Sequence, residues 1–313
     1  MRRNPSRRTF LAGAIMSGAG ALAPSPQAAA ATQARTLSAQ PVWVPPPAQV
    51  RVVEGVAALR GGARLWYWDT GGKGETVVLL HPASGSGAVW EYQQPVLAAA
   101  GYRVIGYSRR GFYRSEAGTA DPGTASGDLH ELAEYLGIDR FHLVGSAAGG
   151  FVVPDYALSY PQKLLSMVIA CSLGGVEDAE YQSVTRRLLP DGFSALPVEF
   201  RELGPSFRAA HAAGVARWLE LHRLGRAENA LRQRTANRLS WSAIETLRTP
   251  TLLLTGDADP YMPPSRLRGF ASRIPDAEVA VIDEAGHSAH WEQPAAFNRA
   301  VLAFLAKHRR SRS

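Results

Sequence analysis

Short apolar runs rich in β-branched residues alternate with longer stretches of helical periodicity from about residue 50 onwards. By length and residue type these runs read as strands. They are Ala63–Trp68, Thr76–Leu80, Arg103–Tyr107, Phe141–Val144, Leu164–Ala170, Thr251–Thr255 and Glu278–Ile282. Strands that alternate with helices form a mostly parallel sheet covered on both faces. The pattern therefore predicts an α/β fold.

The strand pattern stops between Ser172 and about Ser240, where helical stretches such as Phe207–Arg223 take over. Open α/β sheets bind ligands at the carboxyl ends of their strands. We therefore expect residues 172–240 to form a helical cap over a small-molecule pocket. The core is then predicted to consist of residues 50–171 and 241–308.

The first thirty residues carry a pattern of their own. The sequence Ser6-Arg7-Arg8-Thr9-Phe10-Leu11 leads into an apolar stretch that ends at Ala23. This stretch is shorter than the roughly 20 residues that span a bilayer. It resembles a twin-arginine export signal, and a disordered basic tail is the alternative. The resemblance implies a signal peptide at 1–30, a Pro-rich linker at 31–49, transient contact with the twin-arginine export machinery, and a periplasmic or secreted protein.

Charge and cysteine content exclude several classes of protein. The chain has 313 residues, 46% of them hydrophobic, and a net charge of +7. Eight cations lie at the two ends, which include a basic tail at 309–313, so the remainder sums to about −1. No basic stripe is left to bind nucleic acid. A single cysteine, Cys171, forms neither an internal disulfide nor a cysteine metal cluster. No metal-ligand spacing or dinucleotide fingerprint is present, and we predict no cofactor.

Short motifs follow the predicted strands in a fixed order. They are Val77-Val78-Leu79-Leu80-His81, Arg110-Gly111-Phe112-Tyr113-Arg114-Ser115, Leu143-Val144-Gly145-Ser146-Ala147-Ala148-Gly149-Gly150, Gly256-Asp257-Ala258-Asp259 and Gly286-His287. This set resembles the α/β-hydrolase fold superfamily, and in particular its capped esterases and C–C hydrolases, over about residues 50–305. The resemblance implies a doubly wound, mostly parallel, eight-stranded sheet with an inserted helical cap.

The nucleophile position is where the sequence departs from that superfamily. Its nucleophile lies on a sharp strand-to-helix turn with the pattern G-x-S-x-G. Gly145 and Gly149 fit the two glycines and place Ala147 at the nucleophile position, where a methyl group cannot attack a carbonyl. Ser146 is the alternative nucleophile, but it puts Val144 where the turn needs a small residue. A Ser-to-Ala substitution made to trap a substrate would leave the same residue at 147.

The acid and the base of the superfamily are both present. His287 lies in the matching C-terminal segment, and Asp259 follows a predicted strand at the acid position. Asp257 is the nearby alternative acid. We expect His290 to be a packing or loop-bonding residue and His81 to fix the oxyanion loop.

By position, two backbone donors form the oxyanion hole of the superfamily. These are the N–H groups of Ala83 and Ala148. Pro82 stands where the superfamily commonly has glycine, and it stiffens this turn. Ser84 is a candidate further donor, and Trp90 a candidate pocket wall.

The missing serine decides which mechanism the sequence favours. Removing the serine of a hydrolytic triad lowers kcat by about 10⁶. A His–Asp pair acting alone as general base still contributes about 10² to 10⁴. The sequence thus predicts an exported hydrolase of a small ester, lactone or β-dicarbonyl compound, with water as the attacking group or the substrate's own proton as the target. Lyase or cofactor-free oxygenase chemistry, a serine hydrolase that uses Ser146, and a non-catalytic binding protein for small ligands remain alternatives.

Overall fold

The computed structural model describes residues 43–118, 121–225 and 233–310. The predicted signal peptide at 1–30, most of the linker at 31–49 and the end of the basic tail lie outside the described residues. The predictions of export that rest on them stay predictions.

The described residues form one eight-stranded sheet in the order β1-β2-β4-β3-β5-β6-β7-β8. The strands are β1 (Val53–Ala58), β2 (Arg64–Asp69), β3 (Thr76–Leu80), β4 (Arg103–Tyr107), β5 (Phe141–Ser146), β6 (Leu164–Ala170), β7 (Thr251–Gly256) and β8 (Glu278–Ile282). From β4 to β8 neighbouring strands are parallel, whereas β1 and β2 join antiparallel at one edge. The predicted mostly parallel, eight-stranded α/β sheet is confirmed.

The strand at the antiparallel edge, β1, was not predicted from the apolar pattern. Most of its side chains are exposed, and Val53 is 67% exposed. Its position is set by backbone pairing with β2 rather than by burial of an apolar face. The pattern of hydrophobic positions therefore does not indicate a strand at β1.

The helices of the described residues flank the sheet and supply the cap. They are α1 (Gln94–Ala99), α2 (Ala125–Tyr135), α3 (Gly149–Ser159), α4 (Ala179–Leu188), α5 (Val198–Glu202), α6 (Pro205–Ala210), α7 (Ala212–Gly225), α8 (Trp241–Ile244), α9 (Pro264–Ala271), α10 (Ala289–Glu292) and α11 (Pro294–Lys307). Helices α4 to α7 lie within the segment predicted as the cap. Within the described ranges, no helix combines the length and the apolar character that crossing a membrane requires.

The stretch Phe207–Arg223 is helical as predicted, but it is divided between α6 and α7, because the chain breaks at His211. There the backbone has φ −130° and ψ 58°, between α6 and α7. The turn brings the Phe207 ring against Gly214: a β-carbon at 214 would lie 2.8 Å from the end of that ring. In a straight helix residues seven apart are separated by about 10 Å. The break thus lets α6 and α7 pack on each other.

The central strands are buried on both faces, as parallel strands covered by helices must be. Consecutive residues of β5 alternate between the two apolar clusters of the core: Leu143 packs in one and Val144 in the other. At the end of β6, Cys171 is fully buried in a left-handed conformation with φ 48°, and its N–H donates to the Leu254 carbonyl at 2.7 Å. Burial raises the pKa of its thiol well above the ordinary value.

A buried ion pair fixes the loop that follows β4. The Arg110 guanidinium donates two hydrogen bonds of 2.6 Å to the two carboxylate oxygens of Asp128 on α2. Gln233, on the segment that returns from the cap, donates to Asp128 Oδ2 at 2.7 Å. This pair thereby holds three parts of the chain together.

Candidate active site

Ala147 is the apex of a strained turn between β5 and α3. Its φ is 49°, a left-handed value that residues with a β-carbon rarely adopt. Its N–H donates to the Ala170 carbonyl at 2.9 Å, and its own carbonyl accepts from Gly150 N–H at 3.0 Å and Ser172 Oγ at 2.6 Å. Three hydrogen bonds therefore hold the elbow in place although its side chain is a methyl group.

The two glycines of the elbow motif lie where no side chain fits. A β-carbon at Gly149 would lie 2.3 Å from the Leu80 carbonyl oxygen, and one at Gly145 would lie 2.6 Å from Val153 Cγ2. The close contact at Gly149 also brings the start of α3 against the end of β3, where the oxyanion loop begins. The structure thus gives Gly145 and Gly149 the positions that the motif requires, with Ala147 between them.

Ser146, the alternative nucleophile, lies inside the sheet as the last residue of β5. Its side chain is fully buried, and its Oγ makes no hydrogen bond to the described residues. An activated serine needs a base within about 2.6 to 3.2 Å. The structure does not bring Ser146 to His287.

His287 and Asp259 form a close pair at the carboxyl edge of the sheet. His287 Nδ1 lies 2.9 Å from each carboxylate oxygen of Asp259. Asp259 Oδ1 also accepts from the backbone N–H groups of Tyr261 and Met262, and Oδ2 accepts from Thr255 Oγ1 at 3.0 Å. The carboxylate is thus held in one orientation. Asp257, the alternative acid, is exposed and accepts from the Ala285 N–H instead.

The charge of Asp259 controls the protonation of His287. Burial by itself lowers the pKa of the imidazole, but attraction to the Asp259 carboxylate and the hydrogen bond between them outweigh it and raise the pKa to about 9. Burial raises the pKa of Asp259, and the charge and hydrogen bonds of its partners bring it below the ordinary value. Since Nδ1 faces Asp259, Nε2 is the nitrogen left for a substrate.

The oxyanion loop and the elbow each offer a free backbone donor. The N–H groups of Ala83 and Ala148 make no hydrogen bond to the described residues. His81 fixes the loop: its Nε2 accepts from the Arg109 N–H at 3.0 Å, so Nδ1 carries the proton that it donates to the Pro82 carbonyl at 2.7 Å. Burial lowers the pKa of His81 well below its ordinary value and keeps it neutral.

Ser84 bonds to the cap, whereas Trp90 is buried against His290. Ser84 Oγ donates to Glu202 Oε2 of the cap at 3.3 Å, and the Ser84 carbonyl accepts from His222 Nδ1 at 2.7 Å. Trp90 is 1% exposed and its ring packs 4.9 Å from the ring of His290, which leaves it almost no free surface. Burial lowers the pKa of His290 to about 3, so this histidine is neutral.

Two carboxylates near His287 were not singled out as functional in the sequence. Glu202, at the end of α5, contributes to the raised pKa of His287, as does Glu292 of α10. Glu292 follows His287 by five residues, in the C-terminal segment that identifies this histidine. Glu202 lies in the cap and has no motif around it. Within the residues that the structure describes, no three His, Cys, Asp or Glu side chains are grouped to hold a metal ion.

Comparison with known proteins identifies the family. The family model described as alpha/beta hydrolase family matches residues 77–300. A relative from Burkholderia vietnamiensis, named 2-hydroxy-6-oxononadienedioate/2-hydroxy-6-oxononatrienedioate hydrolase, is 30% identical over 285 residues, which cover 82% of this chain and 95% of that protein.

Two solved structures have the same fold. The crystal structure of a bromoperoxidase from Bacillus anthracis matches with a TM-score of 0.66 at 25% identity, over 81% of this chain and 100% of that one. An enol-lactonase from Burkholderia xenovorans LB400 matches with a TM-score of 0.65 at 22% identity, over 80% of this chain and 100% of that one. The chain is a hydrolase and belongs to the alpha/beta hydrolase family.

Proposed function

We propose that this hydrolase cleaves a small ester, lactone or β-dicarbonyl compound with water, and that His287 is the general base. The observation that carries the proposal is the intact His287–Asp259 pair in a chain whose elbow apex, Ala147, bears only a methyl group. A base oriented in this way needs no serine to take a proton from water.

The reaction balances with the residues of this chain alone. His287 Nε2 accepts one proton from water as the water oxygen bonds to the substrate carbonyl carbon. The carbonyl oxygen becomes an oxyanion that accepts hydrogen bonds from the N–H groups of Ala83 and Ala148. On collapse, the imidazolium returns its proton to the departing alkoxide or, for a β-dicarbonyl compound, to the departing enolate carbon. Asp259 holds the Nδ1 proton throughout.

The rate enhancement expected from these groups is that of a slow enzyme. General-base catalysis contributes about 10² to 10⁴, and one oxyanion donor about 10² to 10³. A Ser–His–Asp triad gains more by forming an acyl-enzyme, which the methyl group of Ala147 cannot form. The Burkholderia relative is named for the hydrolysis of a small hydroxy-oxo acid, which supports a small carbonyl compound as the substrate.

We further propose that the protein is exported by the twin-arginine route and acts in the periplasm or outside the cell. The motif around Arg7 and Arg8 and the apolar stretch behind it support this proposal.

Pre-steady-state kinetics with activated aryl esters and lactones test the mechanism. We expect linear release of the phenol with no burst and no covalent adduct on the intact protein by mass spectrometry. His287→Ala should lower turnover by about 10² to 10⁴. His308→Ala, the same change at the end of α11, is the matched control and should leave turnover unchanged. A burst equal to the enzyme concentration, or a serine adduct, would contradict attack by water.

A further inference from the structure

Glu292 is a buried carboxylate that binds the backbone on both sides of His287. It is 5% exposed, and its Oε1 accepts from Gly286 N–H at 3.0 Å and Ser288 N–H at 3.2 Å. Its Oε2 accepts from the N–H of Gly204, in the cap, at 2.6 Å. One carboxylate therefore joins the loop of the catalytic histidine to the cap.

Burying the Glu292 carboxylate at this position costs free energy. Burial raises its pKa to about 7 in spite of the three N–H donors. Among the described residues no Lys or Arg forms an ion pair with it. An apolar residue would fill such a position without the cost of burying a charge. The chain instead keeps a group that fixes backbone atoms in position.

At this point the backbone of the cap lies directly against the backbone of the histidine loop, residues 286–288. A β-carbon at Gly286 would lie 2.4 Å from Gly204 N, and one at Gly204 would lie 2.9 Å from Gly286 N. The Ser288 N–H also donates to the carbonyl of Glu202 at 3.0 Å. The segment 202–204 is thus in direct backbone contact with the loop that carries the base, and the Glu292 carboxylate bonds to both.

We propose that Glu292 is a positioning residue, which locks the cap segment 202–204 to the histidine loop so that Nε2 of His287 is aimed correctly only while the cap is docked. The inference rests on the proposed function of His287 as base. Glu292 acts through His287 and does not touch the substrate.

Glu292→Gln tests this arrangement because an amide has one accepting end. If its oxygen faces Gly286 and Ser288, its NH₂ faces the N–H of Gly204 and the link to the cap is lost. If it is flipped, the histidine loop loses its acceptor instead. A misplacement of about 1 Å can lower a rate 10²-fold. We expect kcat to fall 10-fold to 100-fold while KM changes less than 3-fold.

Two readouts separate positioning from a purely structural role. The loss of the Glu292 charge should lower the pKa of His287, which a pH profile of kcat/KM and an NMR titration of the imidazole both measure. Hydrogen exchange at the Gly204 amide should become faster. Glu284→Gln, the same change at an exposed position before this loop, is the control and should alter none of these.

The outcomes are distinct for the two proposals. Unchanged kcat, His287 titration and Gly204 exchange in folded E292Q would overturn the role of Glu292. If wild-type turnover does not depend on His287, the proposed function fails, and the titration and exchange still test the link because neither needs a substrate. If E292Q does not fold, Glu292→Asp replaces it: we expect a kcat loss of at least about 5-fold with the His287 titration near that of the wild type, and unchanged kcat and Gly204 exchange would overturn the proposal.

Discussion

At Ala147 the backbone keeps the strained turn of a nucleophile elbow while the side chain offers no nucleophile. A left-handed conformation at a residue with a β-carbon costs of order 1–3 kcal/mol. Three hydrogen bonds around Ala147 hold it there. The turn also leaves the Ala148 N–H without a hydrogen bond to the described residues. We therefore propose that the elbow serves oxyanion stabilisation even without a hydroxyl group.

A serine at the apex should create a nucleophile where none exists. We expect Ala147→Ser to gain labelling by a fluorophosphonate probe and slow, burst-type turnover of activated aryl esters, because the new hydroxyl would lie at the elbow position. Ser146→Ala, in contrast, should leave native activity within a few-fold, since Ser146 Oγ is buried and has no hydrogen-bond partner among the described residues. A loss of about 10³ in Ser146→Ala would reverse the assignment of the two residues.

The charge state of His287 predicts how activity depends on pH. A protonated imidazole cannot accept a proton, and Asp259 raises the pKa of His287 above 6.5 to about 9. The kcat/KM of the wild type should therefore rise with pH and level off only as pH passes about 9. Asp259→Asn removes the carboxylate, so its lower residual activity should level off at a lower pH. A wild-type inflection at or below 6.5 would contradict this coupling.

At the scale of elements, the loop after β4 depends on one buried ion pair. Asp128→Asn removes the carboxylate that accepts two hydrogen bonds from the buried Arg110 guanidinium, and breaking a buried ion pair typically costs about 3–5 kcal/mol. The charges of Glu131 and Asp121 still act on this guanidinium, so the low end of that range applies. We expect urea unfolding to show a loss of about this size. Asp139→Asn, the same change at an exposed residue whose contact with Lys163 is 3.7 Å long, should cost less than about 1 kcal/mol. Equal losses for the two variants would rule out the role given to the Arg110–Asp128 pair.

The sequence predicted best those strands that are buried. The central strands are continuous apolar runs, and β3, β4 and β6 begin and end at the predicted residues. The edge strand β8 also begins and ends as predicted, although only Ile282 of its residues is buried. The edge strand β1 is held by pairing, so its side chains carry little pattern. The break at His211 brings Phe207 against Gly214, a contact that helical periodicity does not encode.

The site was predictable only where motifs surround its residues. Short flanking sequences identify His287 and Asp259, and the structure brings the two side chains together. Glu292 lies only five residues after His287 and binds its loop locally. Glu202 reaches the site because the cap folds back onto that loop. That packing depends on contacts between residues more than eighty positions apart, which no local pattern shows.

At the scale of the whole molecule, the positive charge belongs to the two ends rather than to the body. Arg7 and Arg8 lie directly before the apolar stretch of the proposed export signal. We expect the double change Arg7→Lys and Arg8→Lys to leave the precursor unprocessed in the cytoplasm, as cell fractionation and immunoblotting would measure. Changing Arg2 and Arg3 to Lys is the matched control and should leave export intact. Normal export of the Arg7/Arg8 double variant would contradict the twin-arginine route.

The rate at which a reagent labels the single cysteine of this chain should report how often the structure around it opens. Cys171 is fully buried at the end of β6, its N–H bonds to Leu254 of β7, and burial raises the pKa of its thiol. A thiol reagent therefore reaches the sulfur only when the structure around these strand ends opens. The labelling rate of the wild-type protein therefore measures local opening beside the elbow, and no labelling site has to be introduced. A compound that binds under the cap and holds the strand ends closed should slow that rate, which gives a ligand screen that requires no knowledge of the reaction.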